Sequence, residues 1–361
     1  MPPPVLGDRA LNRALLDRQL LLRRVRRPAL ATVEHLVALQ AQEPLDPYVG
    51  LWCRLDGFDP AELSTAIEER AAVRIALLRS TVHLVSARDC LALRPVVQVV
   101  GERMARGQFG RRLAGVDLGE LAAAARELVD AEPLTFGELG KRLAQRWPDR
   151  DPLALAQTAR CLLALVQAPP RGLWRRGGRA RHVTVESWLG RPVGADAAPD
   201  GLVRRYLAAF GPATVADVQN WSGLTRLAEV VERLAPELVT FRAADGRVLY
   251  DLPDAPRPGP DVPAPVRFLP QFDNVLLGHA DRSRIAPPAA ADLYDEQFHW
   301  SPLLVDGMLR GVWRVARERG AATLHARVPG LSPAEQEAVA AEATALLAFL
   351  EPAAGREVRL G

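Results

Sequence analysis

A pair of glutamines, Gln40 and Gln42, is the first candidate for chemistry in this sequence, because the two amides are separated by one residue and closely followed by Pro44. A helix-like apolar run, residues 31–39, precedes them. Side chains two residues apart point roughly 200° away from each other in an α-helix, but they face the same way in an extended segment. Since proline disfavours helical geometry at the residue before it, we expect the helix to end near Leu39 or Gln40 and the two amides to converge. On spacing alone, polar residues that face water at a helix end are the alternative.

The composition is that of an ordinary soluble globular protein, with 48% hydrophobic and 25% charged residues among 361. This length fits about two or three domain-sized units. No stretch approaches the roughly 18 uninterrupted apolar residues of a membrane span, and the N-terminus lacks the pattern of a signal peptide. The three cysteines, Cys53, Cys90 and Cys161, are isolated and odd in number, which argues against a disulfide framework. We therefore expect a cytoplasmic protein.

Overall charge says little about partners, because the net charge is only +3. The type of cation says more, since Lys141 is the single lysine and nearly all of the 46 basic residues are arginine. Much of this bias fits a high-G+C genome. Arginine is also the better ligand for phosphates, because its planar fork binds them bidentately. Surface clusters of arginine are therefore informative.

The secondary structure is predicted most clearly for residues 202–252. Three amphipathic helix-like runs there precede two strand-like runs, which are joined by a turn at residues 244–246. This is the element order of a winged helix, a helix-turn-helix with a β-hairpin wing. The order recurs upstream, where the second helix again begins with Pro-x-Thr-x-x-acid, at Pro133 as at Pro212. The N-terminal stretch is a looser third copy.

We therefore predict an α+β fold of tandem winged-helix repeats with a C-terminal mixed α/β part, arranged around a C-shaped DNA-binding surface. Low-complexity stretches at 194–201 and 252–266 separate the later units. The predicted domains are a first winged helix with the glutamine pair, a second with a basic wing, a third, and a β-rich part with a terminal helix: 1–105, 106–195, 200–255 and 264–361.

The predicted wing of the second unit is strongly basic. Four arginines surround a predicted tight turn at Gly177-Gly178: Arg175, Arg176, Arg179 and Arg181. Arginines at a hairpin tip can grip phosphates or enter a minor groove, and repeated helix-turn-helix units favour this interpretation. A solvated turn in an arginine-rich protein is the alternative.

The stretch LQAQEP, residues 39–44, resembles the signature of the AlkZ-like and YcaQ-like winged-helix DNA glycosylases. Three further stretches fit the same superfamily in the expected order, at 77–89, 268–285 and 303–314. The Gln-x-Gln form is similar to the AlkZ-like branch, whereas the YcaQ-like branch carries Gln-x-Asp. The resemblance therefore covers most of the chain.

This resemblance implies hydrolysis of the N-glycosidic bond of bulky N7-alkylguanines, in some members including interstrand crosslinks. Such a base already carries positive charge, so it leaves without being protonated. Gln40 and Gln42 are then the predicted catalytic residues, since an amide both donates and accepts hydrogen bonds and could orient the attacking water. Preorganisation of this kind contributes several kcal/mol to catalysis. Glu43 could assist electrostatically.

Other residues are predicted to contact DNA. Thr81 and His83 alternate along a predicted strand and could touch the backbone near the site, although a packed strand histidine fits equally well. A hairpin or loop in the resembling stretch at 268–285 could press on the lesioned duplex, and a structural hairpin with Phe272 in the core is its alternative. Its candidate residues are Asp273, His279, Arg282 and Arg284.

The scattered histidines and cysteines predict no metal, and the motifs of hydrolase-elbow and P-loop enzymes do not occur. We expect a monomeric, cofactor-free glycosylase that acts on double-stranded DNA with alkylated guanine, in DNA repair or in self-resistance to a genotoxic natural product. The alternatives are a non-catalytic winged-helix DNA-binding protein, such as a transcriptional regulator, and a protein-interaction scaffold.

Overall fold

The computed structural model describes residues 3–288, 290 and 300–361, which form a mixed fold of helices and antiparallel-rich sheets. None of the described helices has the length and apolar character that a membrane span requires.

The first part of the chain, up to a π-helical turn at Ala105–Phe109, is built from short α-helices and β-strands and one longer helix. They are β1 (Val5–Leu6), α1 (Asp8–Arg18), α2 (Ala29–His35), β2 (Leu39–Gln40), α3 (Asp46–Arg54), α4 (Pro60–Glu68), β3 (Ala72–Ala76), β4 (Val82–Ser86) and α5 (Ala87–Met104).

The middle of the chain repeats a similar order twice. Its first half is α6 (Leu118–Ala131), α7 (Phe136–Arg146), α8 (Pro152–Leu162), β5 (Leu165–Ala168), β6 (Arg181–Thr184) and α9 (Val185–Leu189). Its second half is α10 (Asp200–Phe210), α11 (Val215–Ser222), α12 (Leu227–Leu234), β7 (Val239–Ala243) and β8 (Val248–Asp251).

The C-terminal part packs one long helix against a sheet. It comprises β9 (Arg267–Phe268), α13 (Asn274–Leu277), β10 (Ser301–Val305), β11 (Met308–Glu318), β12 (Ala321–Arg327), α14 (Pro333–Leu350) and β13 (Gly355–Leu360). The strands form one sheet in the order β13-β12-β11-β10-β9.

The same element order occurs three times: a helix, a short strand or single bridge, two helices, and a hairpin. In the first copy β2 pairs with β4, the second strand of the hairpin. The equivalent bridges are Leu134 with His182 and Ala213 with Tyr250, again on the second strand. The matching helix starts are explained by capping boxes, in which Thr135 pairs with Glu138 and Thr214 with Asp217.

The first two copies share one sheet, of order β2-β4-β3-β5-β6, because Ile75 of β3 pairs with Val166 of β5. The domain boundary predicted between residues 105 and 106 therefore runs between two copies whose strands belong to one continuous sheet. The third copy has its own sheet, β1-β7-β8, to which the N-terminal strand adds in parallel. The N-terminal segment thus ties the third copy to the first.

The predicted wing of the second copy differs from the observed hairpin. A hairpin turning at Gly177-Gly178 would have residues 172–176 as its first strand, but these residues lie in the loop between β5 and β6. The run preceding Pro169 forms the strand instead, and a proline ends it because it cannot donate to the ladder. Three further elements, α3, α5 and β13, were not predicted from the sequence. In α5, Pro95 interrupts the helical pattern without ending the helix.

Candidate active site

The glutamine segment is extended at Gln40, as expected, and bends at Gln42, and the preceding helix ends earlier than predicted. α2 ends at His35, and Val37 then adopts a left-handed conformation with φ of 71°, which is an outlier for a β-branched residue. Gln40 lies opposite His83 in the β2–β4 pair, and the N–H of Ala41 donates to Val82 O at 2.8 Å. Gln42 lies at the bend that follows this pairing, and its side chain meets that of Gln40.

Two buried side chains fix the backbone on either side of Gln40. Asn274 Nδ2 donates to Ala38 O at 2.8 Å, and Arg74 Nη2 donates to Ala41 O at 2.7 Å. Both side chains are almost completely buried. They come from distant elements, α13 and β3, so the segment is positioned by tertiary contacts rather than by its local sequence.

The two amides meet each other. Gln40 Nε2 donates to Gln42 Oε1, and Arg79 Nη2 donates to Gln40 Oε1 at 2.8 Å. Gln40 is 7% exposed, whereas Gln42 is exposed. The inner amide is thus held at both ends, and the outer amide faces solvent.

Arg79 projects from a strained turn between β3 and β4. Arg79 and Ser80 have positive φ angles of 51° and 57°, and Thr81 N donates to Leu78 O at 3.0 Å. A two-residue turn with both φ angles positive favours Asn-Gly, and each L-residue with a side chain costs roughly 1–2 kcal/mol there. Arg160 Nη2 donates to Ser80 O and thereby helps to hold the turn.

His83 and Thr81, the predicted DNA contacts on β4 and at the turn before it, both bond to protein groups. His83 is 2% exposed, and its Nδ1 lies 2.9 Å from Thr81 O. Burial, together with the charge of Arg79, lowers the pKa of His83 to about 3, so the ring is neutral at neutral pH. The Thr81 hydroxyl donates to Leu78 O at 3.1 Å within the turn.

A carboxyl group, that of Asp46, lies just beyond the glutamines in the sequence. Burial raises the pKa of Asp46 to about 8, with further contributions from Glu43 and Asp273. Its Oδ2 is buried and has no hydrogen-bond partner among the described residues. Asp46 is therefore a neutral carboxylic acid at neutral pH.

Of the four residues between 273 and 284 that were predicted to contact DNA, three have buried side chains and one is exposed. Asp273 forms a two-bonded ion pair with Arg54, at 2.8 Å for each bond, with both side chains at most 1% exposed. His279 and Arg284 are also buried and contact the carbonyl oxygens of Phe210 and Pro212. These positions do not fit the predicted DNA contacts of the three, because their polar groups face the protein.

Arg282 is the exposed member of this group, and its contact with DNA stays a prediction. It lies near enough to Arg79 that its charge adds to the effect of burial, which lowers the pKa of Arg79 to about 10. The segment that carries Arg282 is not a hairpin among the described residues: α13 is followed by a loop over 278–286.

The arginines of the β5–β6 loop and of the first residue of β6 fall into two groups: two that pair with carboxylates and two that are exposed and unpaired among the described residues. Arg175 donates to Leu350 O and pairs with Glu351 at 3.1 Å, which ties the loop to the end of α14. Arg181 pairs with Glu138 at 3.1 Å. Arg176 and Arg179 are exposed and form no ion pair with any residue that the structure describes.

Four residues that shape the site were not predicted from the sequence: Arg74, Arg79, Asn274 and Asp46. Of these, Arg79 left no usable local signal, because an Arg-Ser pair is not what a two-residue turn with both φ angles positive favours. Burial, which defines the roles of the other three, comes only from the tertiary fold.

The whole fold is similar to that of a solved structure, the DNA glycosylase AlkZ of Streptomyces sahachiroi. The two share 18% sequence identity, the match covers 99% of this chain and 100% of the other, and the TM-score is 0.73. The family model "DNA glycosylase AlkZ-like" matches residues 33–349. The chain therefore belongs to the AlkZ-like DNA glycosylase family, as the resemblance implied. No curated protein matches the chain in a sequence comparison.

Proposed function

We propose that this protein is a monofunctional, hydrolytic DNA glycosylase that releases bulky N7-alkylguanines from duplex DNA, including those that tether two strands in a crosslink. The observation that carries the proposal is the geometry of the amide pair. Gln40 at the end of β2 and Gln42 at the bend that follows are hydrogen-bonded to each other, with Gln42 open to solvent. The family membership supplies the class of reaction.

Neutral amides suit this leaving group. An N7-alkylated guanine carries a positive charge and departs as a neutral base, so the enzyme has to position a water near C1′ and stabilise an oxocarbenium-like transition state. Prearranged hydrogen-bonding groups serve both needs without reorganisation. His83, the cross-strand neighbour of Gln40, is neutral, which agrees with a reaction that needs no strong acid.

Exposed arginines support duplex DNA as the binding partner. Arg176, Arg179 and Arg282 are exposed and unpaired among the described residues, so their charges are available to phosphates. We propose that the three helix–helix–hairpin repeats act as winged helices around the duplex, in a C-shaped arrangement, and that a monomer is sufficient. The glutamines would lie at the centre of this surface.

The test is base release from a duplex that carries a single N7-alkylguanine, detected as strand scission after alkaline treatment. Bulky monoadducts, a simple N7-methylguanine and a crosslink should be compared. The proposal expects scission at the adduct, with the bulky substrates at least as good as the methylated one. Absence of scission with every adduct, together with tight DNA binding, would instead favour a non-catalytic regulator.

A role in self-resistance follows from this substrate class, and the arginine-rich, lysine-poor composition that fits a high-G+C genome is compatible with it. Expression of the protein in a host exposed to a bulky DNA-alkylating natural product should raise survival. Equal survival with an active protein and with an inactive glutamine variant would contradict this role.

A further inference from the structure

Arg79 determines which way the inner amide points. A guanidinium group has five N–H donors and no acceptor, so only an oxygen can face it. Its 2.8 Å contact therefore assigns the carbonyl oxygen of Gln40 to the side of Arg79. The amide nitrogen of Gln40 must then face Gln42.

The direction of the outer amide follows from the inner one. Since the nitrogen of Gln40 is a donor, the atom of Gln42 that it contacts is the carbonyl oxygen. The nitrogen of Gln42 is left facing away from the pair, and the side chain that carries it is exposed. The chain of donors thus runs from Arg79 through Gln40 to the open side of Gln42.

Arg79 is held firmly enough to impose this direction. Its other nitrogen, Nη1, donates to Trp221 O at the end of α11. Gly223 is packed so closely on the turn that a Cβ there would lie 3.2 Å from Arg79 Cα. Among the described residues no carboxylate pairs with Arg79, so the amide of Gln40 is its main polar side-chain partner.

We propose that Arg79 is a positioning residue that orients both amides, so that Gln42 presents its N–H group to an oxygen atom at the scissile nucleotide. This inference rests on the proposed glycosylase function for the identity of the substrate. The oxygen belongs either to the attacking water or to the DNA itself, and the hydrogen-bond chemistry is the same for both.

Substitutions at position 79 test the orientation while both glutamines remain intact. Arg79→Lys keeps a donor-only group, Arg79→Met removes the donor, and Arg79→Glu offers an acceptor that would reverse both amides. We expect the single-turnover rate of base release, at saturating protein, to fall in that order. Arg79→Met should lose about 100-fold, which is the loss that a small misplacement causes, and Arg79→Lys should recover most of it.

A purely structural role predicts a different pattern. The Lys and Met variants would then differ in melting temperature but would release base at equal rates once folded and bound. That result would overturn the proposal. Gln336→Ala, at an exposed position on α14, serves as a control for substitution of a remote surface residue.

A measurement on the unmodified protein remains informative even if no variant folds and no base is released. In spectra of protein labelled with ¹⁵N-glutamine, the side-chain NH₂ of Gln40 should exchange slowly with water and that of Gln42 rapidly. Equally rapid exchange of both would overturn the orientation. Absent base release together with this exchange pattern would instead refute only the glycosylase function.

Gln42→Glu identifies the source of the oxygen, because it replaces the outward N–H by an acceptor. Loss of rate with an unchanged Kd for lesion DNA would assign the oxygen to the water, whereas a raised Kd would assign it to the DNA. Both results support the proposal. Retention of rate and Kd would contradict it, since no outward donor would then be needed.

Discussion

Gln40 lies directly opposite His83 across the β2–β4 pair, so the buried amide of the site has a neutral imidazole as its cross-strand neighbour. The same turn residue, Arg79, donates to Gln40 and lowers the pKa of His83 in addition to the effect of burial. One arginine therefore influences both sides of the strand pair. The site combines hydrogen-bond donors and acceptors with little acid or base strength.

His83 should make the protein less stable in acid. Its pKa falls from 6.5 to about 3 on folding, so the unfolded chain takes up the proton first, and stability is lost as pH falls below about 6.5. Urea denaturation at about pH 7.5 and about pH 5 should show a smaller loss for His83→Asn than for the unmodified protein. Equal losses would show that His83 does not titrate in this way.

Asp46 should have the opposite effect in base. Its pKa rises from 3.8 to about 8 on folding, so the folded protein holds a proton that the unfolded chain releases. This contribution is fully present below about pH 4 and is lost as pH rises through about 8. The free energy of unfolding of the unmodified protein, relative to Asp46→Asn, should therefore decrease between about pH 5 and about pH 9. A constant difference would contradict the raised pKa.

Gly223→Ala should impair both stability and base release. Gly223 has φ of 80°, and a Cβ there would meet Val100 and the backbone of Arg79 at 3.1–3.4 Å. Gly190 is the matched control, since its φ is 66° but a Cβ would contact nothing within 4 Å. Each alanine should cost roughly 1–2 kcal/mol for its left-handed backbone. Only Gly223→Ala should also reduce the rate, by displacing Arg79; equal rates for the two variants would contradict this.

Asp273→Asn tests the reassignment of Asp273 from a DNA contact to a structural ion pair. Removing one partner leaves Arg54 charged and buried, which should cost about 3–5 kcal/mol in the free energy of unfolding. The Kd for DNA of the folded fraction should stay unchanged. A weakened Kd with unchanged stability would restore the predicted contact.

An exposed arginine of the β5–β6 loop and the ion-paired arginine at the start of β6 should differ in DNA binding. Arg179 is exposed and unpaired among the described residues, whereas Arg181 is paired with Glu138 and Pro133 O. Arg179→Gln should reduce the slope of log K against log salt by about 1. Arg181→Gln should change it less. Similar slopes for both variants would show that the ion pair does not restrict Arg181.

The sequence predicted the helices and hairpins well where local signals agree with the fold. The Pro-x-Thr-x-x-acid motifs at Pro133 and Pro212 mark the observed starts of α7 and α11, and the turn at residues 244–246 joins β7 to β8. The prediction that the two amides converge also depended on local geometry, because Pro44 follows the pair. These features need only neighbouring residues.

The remaining features depend on burial and on distant contacts. Asp273, His279 and Arg284 have the residue types of a DNA-binding loop, and only packing shows that their polar groups bond to protein atoms. The left-handed turn at Val37 opposes the preference of valine and is imposed by its buried position. Arg79 likewise depends on a strained turn that propensity does not favour.

The central claim is that the amide pair performs the cleavage, and the single-turnover rate of base release tests it most directly. With a duplex bearing one bulky N7-alkylguanine, Gln40→Ala and Gln42→Ala should each fall by about 100-fold or more, the loss expected for a removed transition-state hydrogen bond. Gln336→Ala should match the unmodified protein, and the rates are compared at saturating protein so that differences in Kd do not affect them. Glutamine variants that release the base as fast as Gln336→Ala would contradict the account.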